Sequence, residues 1–317
     1  MSKLACTLSL DLDDAWTYMR AAGRPGWETT PSVIPLVCPR ILEMCDEFGV
    51  RLTLFVVAHD LDDPHKVAAI RPFVARGHEI GCHSWHHEPT FATLSREQMR
   101  EEVLVAAAKI EQQLGVRPVG FRAPGFAWNA LLPGVLREGG FHYDCSPLPT
   151  WLGPLCRLYY FFNSGMSRED RKKRGAMYGG VADAFRSLAP RLLPGQPELW
   201  QLPVTTIPIL RAPFHMSYVI WLSRYAKTLA TLYLGSALAA CRLFRTEPSY
   251  LLHSLDFVGS DEHPLLGFFP GMAVPWAGKQ TLLQDMMRRL RAGFAVMPLG
   301  QRLPRAAAAR PSASAVP

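Results

Sequence analysis

The feature that most restricts the fold is an alternation of short apolar strands and helices, with reactive side chains gathered where the strands end. Lys3–Leu12 reads as a strand that closes on acids, Asp11, Asp13 and Asp14. Ser32–Phe48 has helical spacing (Val33, Leu36, Val37, Ile41, Leu42, Cys45), and Gly49 sits where a C-cap belongs. Arg51–Val57 reads as a buried strand and Pro64–Arg76 as a helix stopped by Gly77. Ser95-Arg96-Glu97-Gln98 is a capping box opening a helix to about Leu114, ended by Gly115. Val119–Arg122, His142–Cys145, Leu199–Thr205, Tyr250–Leu255 and Phe294–Pro298 read as further strands, and Asn129–Glu138 and Lys279–Arg291 as further helices. Such alternation predicts an α/β fold, a parallel sheet or barrel with its site at the C-terminal ends of the strands. The acids at 13–14, His83, Arg122 and His253 all fall at such ends, so four polar clusters converge on one face.

Four of the ten histidines lie in one stretch, Gly77–His87. On a strand at 79–82, residues 79, 81 and 83 share one face and 78, 80 and 82 the other. His78 and His83 therefore point apart, and His78 reads as structural. If the chain turns helical past Ser84, His83 and His87 fall four apart on one face, a spacing that lets two imidazoles hold one metal ion. His86 could replace His87. A catalytic site also needs a carboxylate and an open water position. Leu10-Asp11-Leu12-Asp13-Asp14 can supply acids that divide the work, one on the metal and one as base, although alone such a pair equally suits a solvated loop. Arg122 offers a fixed fork that can orient a carboxylate. Gly125 leaves its backbone N–H approachable, as an oxyanion donor requires. His253 becomes a candidate general acid only if it faces the metal; otherwise it is a core histidine.

With 317 residues, 49% of them hydrophobic, the chain can fill a single α/β barrel. Its 34 basic and 27 acidic residues leave +7, which suits an anionic partner such as a membrane surface or a phosphate-bearing substrate. The basic residues are scattered and no recognition helix is visible, which argues against nucleic acid. Seven cysteines without a CxxC pair read as reduced thiols of a cytosolic protein. The N-terminus has neither an uninterrupted apolar core nor a small-residue cleavage site, so no signal peptide and a cytoplasmic location are expected. Trp151–Phe244 is apolar and aromatic-rich, with single basic residues between runs. Its longest charge-free run, Thr228–Cys241, has 14 residues, short of the roughly 20 a span needs. That length suits a helix in a membrane interface as well as a buried helix covering the barrel. Residues 1–302 read as one domain and 303–317 as a disordered tail.

Asp13-Asp14, His83-Ser84-Trp85-His86-His87, Arg122-Ala123-Pro124-Gly125 and Leu251-Leu252-His253, in this order, resemble the motifs of the polysaccharide deacetylases, the NodB-homology domain of carbohydrate esterase family 4. The resemblance runs from about residue 4 to 300. It implies a distorted (β/α) barrel of about seven strands, here with an apolar helical insertion at 151–244. The implied reaction is metal-dependent removal of an N-acyl group, acetyl or formyl, from a sugar. Asp13 would be the catalytic base, and Asp14, His83 and His87 the ligands of a divalent metal, zinc or else cobalt, nickel or manganese. Arg122 would orient the base, the Gly125 N–H would bind the oxyanion, and His253 would protonate the leaving amine. Ser84 would support the histidines. The first motif departs from the usual Thr-Phe-Asp-Asp-Gly, so Asp11 competes for the base role. Gly125-Phe126 stands where Tyr-Gly is usual. The acid that tunes His253 is open between Asp144 and Asp256. The missing signal, the aromatic segment and the charge point to a substrate held at the cytoplasmic face of the inner membrane; this pattern resembles the branch of the family that deformylates or deacetylates polyprenyl-phosphate-linked sugars, which implies such a sugar or another membrane-associated glycan precursor. A soluble deacylase of a small amide or nucleotide sugar, and a non-catalytic glycan- or lipid-binding barrel, are the alternatives. The complete set of residues argues against the last.

Overall fold

The computed structural model describes residues 3–162, 167–175 and 178–303. The expected tail lies outside them apart from Leu303. The strands are β1 (Leu4–Leu12), β2 (Thr53–Val56), β3 (Glu79–Cys82), β4 (Gly120–Phe121), β5 (Tyr143–Asp144), β6 (Arg191–Leu193), β7 (Gln196–Gln201), β8 (Ser249–His253) and β9 (Phe294–Met297). Between them run α1 (Ala15–Ala21), α2 (Ile34–Glu47), α3 (Pro64–Ala75), α4 (Arg96–Arg100), α5 (Ala106–Leu114), α6 (Leu132–Glu138), α7 (Gly153–Phe162), α8 (Arg168–Lys173), α9 (Met216–Ser223), α10 (Lys227–Leu243) and α11 (Trp276–Gly293).

The strands hydrogen-bond in the order β6-β7-β5-β4-β3-β2-β1-β8. All of these pairings are parallel except the β6–β7 hairpin. Past β7 the chain continues to Thr205, whose N–H donates to the Ser249 carbonyl (3.1 Å), while the Ser249 N–H donates to Thr205 Oγ1 (2.7 Å). Those two bonds bring the β7 side against β8, so seven strands (β1–β5, β7 and β8) wall a distorted barrel. β6 and β9 are additions, β9 pairing with the first half of β1. The hairpin through Gly195 (φ 71°) was not legible as a strand pair, and β7 starts at Gln196, three residues before the expected Leu199.

Alternation along β1 separates two environments. Leu8, Leu10 and Leu12 enter the main core beneath the helices, while Ser9 and Asp11 turn inward to Arg122. Buried Ile34, Val37, Cys38, Ile41 and Cys45 seat α2, which ends before Gly49 at φ 58°. The Ser95/Gln98 capping box is present at α4, and a π turn, Glu101–Val105, joins α4 to α5. All seven cysteines are free thiols. The apolar segment supplies α7, α9 and α10. α10 buries Ala230, Leu234, Ala237, Leu238 and Cys241 and exposes Leu229 and Leu232, so it packs on α9 and α11 with one side only. Among the described residues no helix is long and apolar enough to cross a membrane.

Candidate active site

The C-terminal ends of β1, β3, β4 and β8 bring Asp11, Asp13, His83, His87, Gly125 and His253 to one pocket of about 360 Å³. His83 and His87 do not meet on a helix. Ser84 (φ 66°) and His87 (φ 49°) both adopt the left-handed region, and the tight turn between them is closed by the His87 N–H donating to Ser84 Oγ (3.1 Å). Such backbone is costly for residues with a Cβ and persists where the surroundings enforce it. The enforcing group is Glu102, which the π turn carries inward. Its carboxylate accepts from the Trp85 and His86 N–H groups (3.1 and 3.0 Å), and its other oxygen lies 2.8 Å from His86 Nδ1. His86 is thus held away from the metal candidates and does not replace His87. His78 is buried on the opposite side, where Nδ1 accepts the Leu52 N–H (3.2 Å).

Asp13 Oδ1 lies 3.3 Å from Nε2 of both His83 and His87. It is buried and, among the described residues, has no donor in hydrogen-bond geometry. His83 Nδ1 lies 2.7 Å from the Arg122 carbonyl, which fixes the tautomer with the proton there and leaves Nε2 facing Asp13. One ligand atom from each of the three residues falls within 4.8 Å of the others. Two imidazoles and one carboxylate with space beside them fit a divalent ion with an open coordination position. Burial works against the Asp13 carboxylate, but His87 and His83 outweigh it and hold its pKa well below the usual range. Burial lowers His87, and Asp13 beside it only partly compensates.

Asp14, expected as a ligand, is not in this cluster. It follows the strand end and turns away as the N-cap of α1. Its Oδ1 accepts from the Ala15 and Val33 N–H groups (2.7 and 2.8 Å), and Oδ2 pairs with Lys66 Nζ at 2.6 Å. Strand alternation explains the difference: Asp11 and Asp13 share a face, and Asp14 does not. Asp11 occupies the position expected of Asp13. Arg122, fully buried, sets Nη1 2.5 Å from Asp11 Oδ1 and Nη2 3.0 Å from Ser9 Oγ, with its guanidinium carbon 4.4 Å from the centre of the Phe55 ring. Asp11 Oδ2 is 3.9 Å from Nε2 of both His83 and His253.

His253 is tied at its other nitrogen. Nδ1 lies 3.1 Å from Ser217 Oγ, Ser217 donates to Asp256 Oδ1 (2.9 Å), and Asp256 Oδ2 accepts the His253 N–H (2.8 Å). Burial raises the Asp256 pKa against the pull of His253. Asp144 does not reach His253. It accepts from the Ser146 N–H (2.9 Å) and hydroxyl (2.5 Å), and Ser146 Oγ accepts the Ala123 N–H (2.9 Å), so Asp144 braces the Arg122–Gly125 segment. Gly125 (φ 58°) sits in a tight turn, Pro124–Phe126, against the pocket. Ser217, Glu102 and His215 were not anticipated; each lies on an element remote in sequence, with no local motif.

Residues 13–143 match the family model described as polysaccharide deacetylase. The peptidoglycan deacetylase of Helicobacter pylori is 28% identical over 109 residues, 34% of this chain and 36% of that protein. The peptidoglycan deacetylase-like protein FGM2 of Gibberella zeae is 30% identical over 173 residues, 53% and 45% of the two chains. The chain thus spans less than half the length of these curated relatives. Among solved structures, a Mycobacterium smegmatis protein assigned by name to the polysaccharide deacetylases aligns over 100% of this chain and 96% of its own with a TM-score of 0.61 at 21% identity. Puue allantoinase aligns over 98% and 92% with a TM-score of 0.57 at 16% identity. The structural likeness is one of fold. Over residues 13–143 the family match agrees with the ordered motifs, and this part of the chain is similar to the polysaccharide deacetylases.

Proposed function

We propose that the chain is a metal-dependent amide hydrolase that removes an N-acyl group from a sugar. The observation that carries the reading is the convergence on one pocket of an ion-binding triad, an Arg-held carboxylate and a carboxylate-backed histidine. Asp13, His83 and His87 would hold the divalent ion. When bound, such an ion polarises the amide carbonyl and makes a water acidic enough to attack near neutral pH. Asp11, oriented by Arg122, takes the proton from the attacking water. The Gly125 N–H is the candidate donor to the developing oxyanion. His253 gives a proton to the leaving nitrogen, held in line by Ser217 and Asp256. The products are a free amine on the sugar and a carboxylic acid.

The substrate we favour is a lipid-linked N-acyl sugar at a membrane surface. The pocket wall is largely aromatic and aliphatic, including Phe126, Leu155, Tyr159, Trp221 and Phe269. Leu155 and Tyr159 also stand half-exposed, so they mark the mouth, and Leu158 and Phe162 continue the same face of α7 outward, 51% and 76% exposed. Residues 151–244 hold twelve Lys or Arg against four Asp or Glu, whereas the rest of the chain is balanced to within one charge. An apolar face beside the mouth, within a cationic segment, suits an anionic lipid surface. The test is hydrolysis of a polyprenyl-phosphate-linked N-acyl sugar beside a soluble chito-oligosaccharide, with co-sedimentation on anionic vesicles. Preference for the lipid-linked substrate, with binding lost in Leu158→Glu/Phe162→Glu, supports the reading. Equal turnover of the soluble oligosaccharide and no vesicle binding would leave the soluble deacylase.

A further inference from the structure

His215 is a polar group of the pocket that the reaction leaves unused. It precedes α9 at the N-cap position, yet its side chain makes no capping hydrogen bond. The residue is 6% exposed, its ring lines the pocket, and Nδ1 is buried without a hydrogen-bond partner among the described residues. No protein group pairs with this imidazole among the described residues, so the part of its ring at the pocket wall is left to whatever the pocket binds. The ring centre lies 5.3 Å from that of His253, 4.6 Å from Tyr218 and 6.4 Å from Phe126, between the proton donor and the Gly125 turn. A group meeting it therefore lies close to His253, the proposed proton donor to the leaving nitrogen.

We propose that His215 is a substrate-binding residue that hydrogen-bonds a neutral hydroxyl on the ring bearing the scissile amide. The inference rests on the sugar-amide reading above. A neutral imidazole carries an N–H donor on one nitrogen and an acceptor on the other, and a hydroxyl, able to give or take a hydrogen bond, can pair with whichever nitrogen faces the pocket. Burial, with His253 and Arg122 nearby, keeps the ring neutral, its pKa well below the ordinary value. In an amino sugar, hydroxyl groups or ring substituents flank the carbon that carries nitrogen, so the geometry supplies such a group where His215 stands.

The test is calorimetric binding of N-acetylglucosamine and of N-cyclohexylacetamide, the same ring-borne amide without hydroxyls. The proteins are the metal-loaded wild type, His215→Phe and His215→Gln. We expect His215→Phe to weaken the sugar ~10-fold, about the contribution of one good hydrogen bond, and to leave the cyclohexyl amide unchanged. His215→Gln, able to donate and accept, should restore part of the loss. Equal weakening of both ligands, unchanged binding of both, or no sugar binding by wild type would overturn the proposal. A role exerted only through His253 would instead leave sugar binding intact and shift the pH–rate profile, which also overturns it. Intact sugar binding without hydrolysis would count against the reaction and not against this contact.

Discussion

Arg122 and Asp11 form a wholly buried ion pair, Nη1 to Oδ1 2.5 Å, at the point where β1 and β4 deliver their ends to the pocket. The remaining guanidinium contacts, Ser9 Oγ, the Cys145 carbonyl at 3.3 Å and the Phe55 ring, leave Arg122 one geometry. The pair therefore both orients Asp11, the proposed base, and closes the barrel interior.

Arg122→Met should accordingly lose stability and activity together. Removing one partner of a buried pair costs about 3–5 kcal/mol. The misoriented Asp11 should lower kcat on the order of 10²-fold or more. Urea unfolding and hydrolysis of one amide substrate measure both; a variant as stable as wild type would show that the pair is not the lock described.

The Asp256–Ser217–His253 chain predicts a graded series. Ser217→Ala removes one link and should lower kcat roughly tenfold. Asp256→Ala removes the acceptor of both Ser217 and the His253 N–H and should cost ~10²-fold, within the range of general acid catalysis. Metal content should be unchanged in both. A larger loss in Ser217→Ala than in Asp256→Ala would break the proposed order of support.

Glu102 tests whether the π turn serves the site. Glu102→Ala frees the Trp85 and His86 N–H groups and relaxes the left-handed turn between Ser84 and His87. Metal affinity should fall about 10–100-fold, as when supporting partners of ligands are removed. Competition with a chelator reads this without any substrate, and unchanged affinity would contradict it.

His78 gives a pH prediction. Burial lowers its pKa to about 4, against roughly 6.5 in an unfolded chain. Between those values the unfolded state binds the proton and the folded state does not, so stability should fall as pH drops from about 6.5 to 4. His78→Gln, which can still accept the Leu52 N–H, should show a shallower fall in urea-unfolding free energy over that window. Parallel curves would rule out His78 as the source.

The strand–helix alternation and the capping signals at Ser95 and Gly49 were legible because each is set by local period and cap chemistry. So was the convergence of residues 13, 83, 122 and 253, since parallel strands must deliver their ends to one side. Which two acids face the pocket was also written in the sequence: Asp11 and Asp13 are two apart on a strand and share a face, whereas adjacent Asp13 and Asp14 cannot. The adjacent acids of the resembled motif masked that spacing. The convergence of His83 and His87 was read as helical, but it depends on left-handed backbone enforced from Glu102, 15 residues past His87. Ser217 and His215 meet His253 only through tertiary packing of α9, which no local pattern encodes.

The central claim is the division of labour among Asp11, Asp13 and Asp14. Its most direct test is bound divalent metal per chain, measured by elemental analysis, with amide hydrolysis in the same preparations of wild type, Asp11→Asn, Asp13→Asn and Asp14→Asn. Asp11→Asn should keep the ion and lose activity, Asp13→Asn should lose the ion, and Asp14→Asn should keep the ion and most of the activity at a lower melting temperature. An ion lost from Asp14→Asn and retained by Asp13→Asn would contradict the assignment.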